Sequence, residues 1–235
     1  MASHGATGRQ QQPPLTDPEL REEEKRLAAV AAAELLHDGM RVGLGTGSTV
    51  AHLLPAIAAR GLEGLRCAAT SPATERAALA VGLRVEALED IGELDIAIDG
   101  ADQVDPAGWL VKGGGGAHTR EKIVAAAARS FVVIVSSEKP VARLGPPVPL
   151  ELVPFAAPVT LRALEPSRLR DVPPSPDGGL IADYLGLVDS PGALAERLQA
   201  TPGVVEHGLF APEMVSLVLI GEAGAGVRRV PGAKR

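Results

Sequence analysis

Three short segments between residues 43 and 122 hold the side chains that could do chemistry. The first, Gly43-Leu44-Gly45-Thr46-Gly47-Ser48-Thr49, closes an apolar run and opens a helical pattern. Such a turn offers free backbone N–H groups and a helix N-terminus to an anion, and Ser48 and Thr49 add hydroxyl donors. It contains no Lys, so it is not a Walker A loop. A dinucleotide fingerprint would need Gly in place of Ser48 and an acid after the next strand, where the chain reads Ala68-Ala69-Thr70-Ser71. Phosphate on a small molecule fits better. The reading without a ligand is a plain Gly-rich strand-to-helix turn.

The second segment, Asp99-Gly100-Ala101-Asp102, follows the apolar run Leu94 to Ile98. Carboxylates at the carboxyl end of a parallel strand lie where open α/β sheets bind ligands, although an Asp-Gly turn with solvated acids has the same sequence. The third, Lys112-Gly113-Gly114-Gly115-Gly116, orders four glycines at a high cost in backbone entropy. Close approach of the backbone to a ligand is one reason to do so, with Lys112 as the cation beside it. Thr119 then caps a helix whose first turn holds Arg120, Glu121 and Lys122. Glu121 either complements the helix dipole or serves a reaction, and Lys122 reads as a surface residue. Together the segments supply an anion cradle, two carboxylates, a Lys and a Glu, without a metal-ligand cluster. An aldose–ketose shift on a phosphorylated sugar needs this equipment. A base removes the proton alpha to a carbonyl, and a fixed cation or donor holds the enediolate oxygen.

The surrounding pattern supplies elements to hold these segments. Thr16 and Glu19 have capping-box spacing with Pro18 in the first turn, and a helix follows through Ala28 to Leu36. Strands are expected at Arg41–Leu44, Leu65–Ala69, Arg84–Glu86, Leu94–Ile98, Trp109–Val111 and Phe131–Val135. Helices are expected at Thr49–Arg60, Pro72–Val81 and Thr119–Ala128. This alternation on short loops predicts an α/β fold, a parallel sheet with helices on both faces. From Pro146 the chain becomes Pro-rich and alternates at Val148–Val153 and Leu180–Leu187, with helical stretches at Ala157–Leu164 and Pro191–Ala200. That change predicts a small antiparallel α+β unit. Val215–Ile220 reads as a buried strand that rejoins the first sheet.

Composition narrows the class. The chain has 235 residues, a net charge of −6 and 2% aromatics, so it lacks the cationic field and stacking platforms of a nucleic-acid binder. One cysteine, Cys67, excludes a disulfide framework and a Cys-rich zinc site and fits a reducing cytosol. Met1 to Pro14 has no apolar core of a signal peptide, and no apolar run suits a bilayer. A soluble cytoplasmic protein is expected. The single Trp, Trp109, lies in sequence between Asp102 and Lys112 and is expected to report on the site.

These stretches resemble the type A ribose-5-phosphate isomerase family. The matching residues are Gly45-Thr46-Gly47-Ser48-Thr49, Thr70-Ser71 with Thr74, Asp99-Gly100-Ala101-Asp102, Lys112 to Gly116 leading to Arg120-Glu121-Lys122-Ile123-Val124, Ser137-Glu138-Lys139, and Pro202 to Phe210. The resemblance implies a cofactor-free, metal-free interconversion of ribose 5-phosphate and ribulose 5-phosphate in the pentose phosphate pathway. It makes Glu121 the base, Asp99 an aid to ring opening and hydroxyl proton transfer, Lys112 the enediolate stabiliser, and Asp102 an orienting group. Thr46, Gly47, Ser48 and Thr49 would bind phosphate or nearby hydroxyls, with Gly100, Ala101, Gly113, Gly114, Gly115 and Lys139 as further substrate contacts and Lys25 as a weaker one.

The implied fold is a Rossmann-like α/β domain (16–146 and 205–235) with an inserted ferredoxin-like α+β domain (147–204), behind a disordered tail (1–15). The implied assembly is a homodimer or homotetramer. The chain departs from the family at Gln103, where Glu is usual, at His118, where an apolar residue is usual, and at Asp177-Gly178-Gly179-Leu180, which lacks the usual Asn residues. His118 reads as satisfied or solvated, with a modulating role near the site as the alternative. A glucosamine-6-phosphate deaminase-like enzyme and a non-catalytic sugar-phosphate sensor are the alternatives, although the 38 residues before the first strand are too few for a helix-turn-helix.

Overall fold

The computed structural model describes residues 16–234, so the tail expected over 1–15 lies outside the described residues. A six-stranded sheet organises the larger part of the chain. Its strands run in the order Gly226–Pro231, Leu217–Glu222, Ala128–Ser136, Leu94–Asp99, Arg41–Leu44 and Arg66–Ala69. All neighbours are parallel except the Gly226–Pro231 edge. The central strands are buried on both faces, which is why they read as continuous apolar runs. Ile96, Ile98, Val132 and Ile134 pack one way, against the helices Asp17–Ala33 and Ser48–Ala59. Ala97, Val133 and Val135 alternate to the other face, where Val124 and Ala125 of the helix His118–Ala127 cover them. The first helix opens as expected: the Thr16 N–H donates to Glu19 Oε2 at 2.8 Å.

A second, antiparallel sheet has the order Val204–His207, Val148–Leu152, Leu180–Tyr184, Ser167–Leu169. Helices Ala157–Ala163 and Pro191–Gln199 belong with it, and Leu150, Leu152, Leu164, Ala182 and Leu198 form its core. Glu206 and His207, expected with the larger unit, pair with Glu151 and Leu150 in this sheet. Between the two sheets lies a small ladder of Leu209–Phe210, Leu110–Val111 and Gln103–Val104.

Other expectations shift in detail. Arg84–Glu86 forms one bridge, Val85 to Cys67, rather than a strand. The Gly226–Pro231 strand was not expected. It returns antiparallel after a turn in which Gly224 and Gly226 take φ of +77° and +95°, conformations open to glycine at little cost. No helix among the described residues is long and apolar enough to cross a membrane.

Candidate active site

The parallel sheet brings the first two segments together. Leu44 and Ile98 are register partners on adjacent strands, and the Gly45 N–H donates to the Ile98 carbonyl at 3.0 Å. Both chains therefore leave the sheet side by side. A Cβ on Gly45 would sit 1.9 Å from the Asp99 carboxyl, so only glycine lets that carboxylate lie across the turn. Asp99 Oδ1 accepts from the N–H groups of Gly100 at 2.7 Å and Thr46 at 3.1 Å. Its Oδ2 faces the Lys112 ammonium at 2.8 Å.

Lys112 is held from behind. Its backbone N–H donates to the Gly208 carbonyl at 2.8 Å, and its Nζ donates to the Gly100 carbonyl at 2.5 Å and lies 5.4 Å from the centre of the Phe210 ring. Glu121, in the first turn of its helix, reaches the same ammonium at 3.1 Å. All three charged groups are buried, Lys112 being 2% exposed.

One buried cation thus faces two buried carboxylates. Burial raises the pKa of Asp99, opposed by the Lys112 charge and the hydrogen bonds it accepts. Burial also raises Glu121, to about 8, and the like charge of Asp99 adds to this while Lys112 works against it. Burial disfavours the Lys112 ammonium, but the two carboxylates outweigh that and hold its pKa above the ordinary value. The pair of acids therefore shares one proton near neutrality. A carboxyl poised near neutral pH beside a fixed cation suits proton abstraction next to a carbonyl.

The triad opens onto a cleft of about 190 Å³ formed by residues 46–50, 100–102 and 112–115 with Lys25, Glu121, Glu138 and Lys139. Every residue expected at the site lines this cleft except Asp99, which sits beneath it. The helix Ser48–Ala59 points its N-terminus here, after Gly47 at φ +133°. The Thr46 hydroxyl meets those of Thr70 and Ser71 at 2.8 Å and Thr74 at 3.1 Å. Asp102 Oδ2 accepts from the Gly114 N–H at 2.8 Å. Lys25 lines the cleft while paired to Glu22 at 2.6 Å. A larger hollow of about 610 Å³ lies beside the helix His118–Ala127, against Arg120, Ile123, Glu151 and Asp177. It contains none of the residues expected at the site, so size does not mark the chemistry here.

Several expectations need correction. His118 is neither solvated nor satisfied: it is buried, and neither ring nitrogen finds a hydrogen-bond partner among the described residues. Its ring lies against Gly113, where a Cβ would approach Nδ1 to 2.7 Å. Burial takes its pKa down to about 4 against a weaker opposing pull from the Glu206 backbone, which keeps it neutral. Lys122 is not a surface residue. It donates to Glu206 Oε1 at 2.6 Å and the His207 carbonyl at 2.7 Å, and lies 4.9 Å from the Phe210 ring centre. Trp109 packs toward Gly192 and the core of the small sheet rather than into the cleft. Gln103 turns away and makes a double hydrogen bond with the backbone of Gly145, at 3.0 and 2.8 Å. Arg120 pairs with Asp177 at 2.7 Å, which gives the altered Asp177 turn a partner on the larger unit.

Comparison with known proteins places the chain in a family. Residues 66–225 match the family described as ribose 5-phosphate isomerase A (phosphoriboisomerase A). The chain is 42% identical to a ribose-5-phosphate isomerase A of Methanosarcina acetivorans over 227 residues, covering 90% of this chain and 95% of the relative. It superposes on the crystal structure of ribose 5-phosphate isomerase A from Neisseria gonorrhoeae with a TM-score of 0.85 at 33% identity, over 90% of this chain and 97% of the other. A D-ribose-5-phosphate isomerase solved with phospho-erythronic acid gives a TM-score of 0.84 at 33% identity, over 90% and 99%. On these grounds the chain belongs to the ribose 5-phosphate isomerase A family.

Proposed function

We propose that this chain interconverts D-ribose 5-phosphate and D-ribulose 5-phosphate through an enediolate, with Glu121 as the base. The observation that carries the reading is the Lys112 ammonium lying 2.8 Å from Asp99 and 3.1 Å from Glu121 at the floor of one cleft. In its ionised form Glu121 takes the proton from C2 of the open-chain aldose. The electron pair moves into the C1–C2 bond, and negative charge collects on O1, where Lys112 stabilises it. Glu121 then returns the proton to C1, and the hydroxyl proton passes from O2 to O1 with the aid of Asp99. Asp99 also assists ring opening. Asp102 orients the sugar hydroxyls and the glycine loop.

The segment Thr46 to Thr49 and the helix N-terminus behind it meet the phosphate, with Lys139 and Lys25 as cations at the rim. The similar isomerase solved with phospho-erythronic acid supports a phosphorylated sugar as the ligand. That compound joins a phosphate to a planar carboxylate, the shape of an enediolate. The deaminase and sensor alternatives lose support from the family match. The reading implies a step of the pentose phosphate pathway, carried out in the cytoplasm by a homodimer or homotetramer without nucleic acid or membrane.

The test is turnover of ribose 5-phosphate in D₂O in the presence of a chelator, read by NMR. Ketose formation with deuterium entering at the transferred position is expected. Absence of turnover, or ammonia release from glucosamine 6-phosphate, would overturn the assignment.

A further inference from the structure

The small sheet supplies a side chain that reaches the glycine loop. Arg170 follows the strand Ser167–Leu169, and its backbone N–H donates to the Ile181 carbonyl at 2.9 Å, which fixes where the side chain starts. Its guanidinium meets Asp183 through two hydrogen bonds, Nε to Oδ2 at 2.9 Å and Nη2 to Oδ1 at 2.6 Å. The remaining arm, Nη1, donates to the carbonyls of Gly113 at 3.1 Å and Gly114 at 3.0 Å. Asp183 and most of Arg170 are buried. The geometry uses the planar fork of arginine, since a lysine ammonium cannot meet a carboxylate side-on and two carbonyls beyond it.

Those two carbonyls determine where the loop N–H groups point. A trans peptide is planar, with its N–H opposite its C=O. Holding the Gly113 carbonyl toward the small sheet turns the Gly114 N–H the other way, where Asp102 accepts it at 2.8 Å. Holding the Gly114 carbonyl likewise turns the Gly115 N–H away from Arg170. Gly115 lines the cleft together with Lys112, near Thr46, and its N–H has no partner among the described residues. The turn is closed from the other side by Gly116 N–H donating to the Gly113 carbonyl at 3.1 Å.

We infer that Arg170 is a positioning residue for the reaction. It clamps the Gly113 and Gly114 carbonyls so that the Gly115 N–H stands ready to donate to the substrate oxygen that gains charge beside Lys112. This rests on the isomerase reading above. It makes the small sheet part of the catalytic apparatus through one guanidinium rather than a bystander.

The experiment compares wild type with Arg170→Ala and with Arg170→Met/Asp183→Met, which removes the clamp without leaving Asp183 buried and unpaired. Steady-state turnover of ribose 5-phosphate is measured with and without millimolar guanidinium chloride, with ammonium chloride as control. Both variants are expected to lose about 100-fold in kcat, the cost of misplacing one donor at a developing charge, with KM nearly unchanged. Guanidinium, and not ammonium, is expected to restore several-fold of the loss in Arg170→Ala. Wild-type kcat in the folded double variant, or a loss confined to KM, would overturn the inference. So would a loss in Arg170→Ala that tracks the unfolded fraction and does not respond to guanidinium. A wild-type protein that fails to turn over ribose 5-phosphate would instead overturn the functional reading itself.

Discussion

Glu121→Gln tests the charge arrangement through two independent readouts. Burial and the neighbouring Asp99 raise Glu121 to about 8, against 4.5 for the free side chain. A group whose folded pKa is raised holds its proton longer in the native state than in the unfolded one. Its contribution to stability is therefore complete below about pH 4.5 and is lost as pH rises through about 8. Each unit of that window is worth about 1.4 kcal/mol, so the wild type gives up about 5 kcal/mol that the neutral Gln variant keeps. Asp99 shares the proton, which broadens the transition without changing its sign.

Urea midpoints of both proteins at pH 5, 6, 7, 8 and 9 would show it. The variant should gain on the wild type steadily from pH 5 to 8 and hold its lead above that. In the same preparations kcat should fall about 1,000-fold, the scale of a lost general base. Parallel stability curves across the series would refute the buried, proton-sharing pair. Near-normal turnover would refute Glu121 as the base.

Two further changes probe the surroundings of the triad. Lys112→Met leaves Asp99 and Glu121 buried without their counter-charge, and should cost about 3–5 kcal/mol at pH 8 in thermal or urea unfolding together with most of the turnover. Its destabilisation should shrink at pH 5, where Glu121 carries its proton. Gln103→Glu removes the amide donor that meets the Gly145 carbonyl at 3.0 Å and sets a carboxylate against that oxygen. A loss of about 1–2 kcal/mol in stability is expected, with kcat unchanged because Gln103 does not line the cleft.

The site was legible in the sequence because its parts are short and a parallel sheet assembles them by rule. Leu44 and Asp99 end adjacent strands, so two motifs 55 residues apart in sequence had to meet. The glycine loop and Glu121 followed because the strand Leu110–Val111 and the helix His118–Ala127 flank a loop of only six residues. What sequence reading missed depends on pairings with no local signal. Lys122 looked solvated because its partners, Glu206 and the His207 carbonyl, arrive from 84 and 85 residues away. Arg170 reaches Gly113 across 57 residues, and nothing in its own neighbourhood marks it. His118 lies under Gly113, and a polar residue buried without partners contradicts the usual expectation for histidine. The pairing of the strand Val204–His207 with Val148–Leu152 is a register that only the folded sheet reveals.

Charge near the cleft also predicts how ionic strength acts. The chain carries a net −6, yet the proposed substrate is an anion. Lys25, Lys112 and Lys139 line the cleft against Asp102, Glu121 and Glu138, so the lining is close to neutral rather than a positive funnel. Recognition must then rest on the helix N-terminus after Gly47, the hydroxyls of Ser48 and Thr49, and the loop N–H groups. These are dipoles at contact range, which salt screens little, whereas long-range attraction between charges falls off over about 8 Å at physiological ionic strength. Raising NaCl from 20 to 200 mM should leave kcat/KM for ribose 5-phosphate within about 2-fold, with any change upward as the repulsion from the acidic surface is screened. A fall of 10-fold or more would mean that steering by lysines carries the binding, and the backbone cradle would lose its place as the anion site.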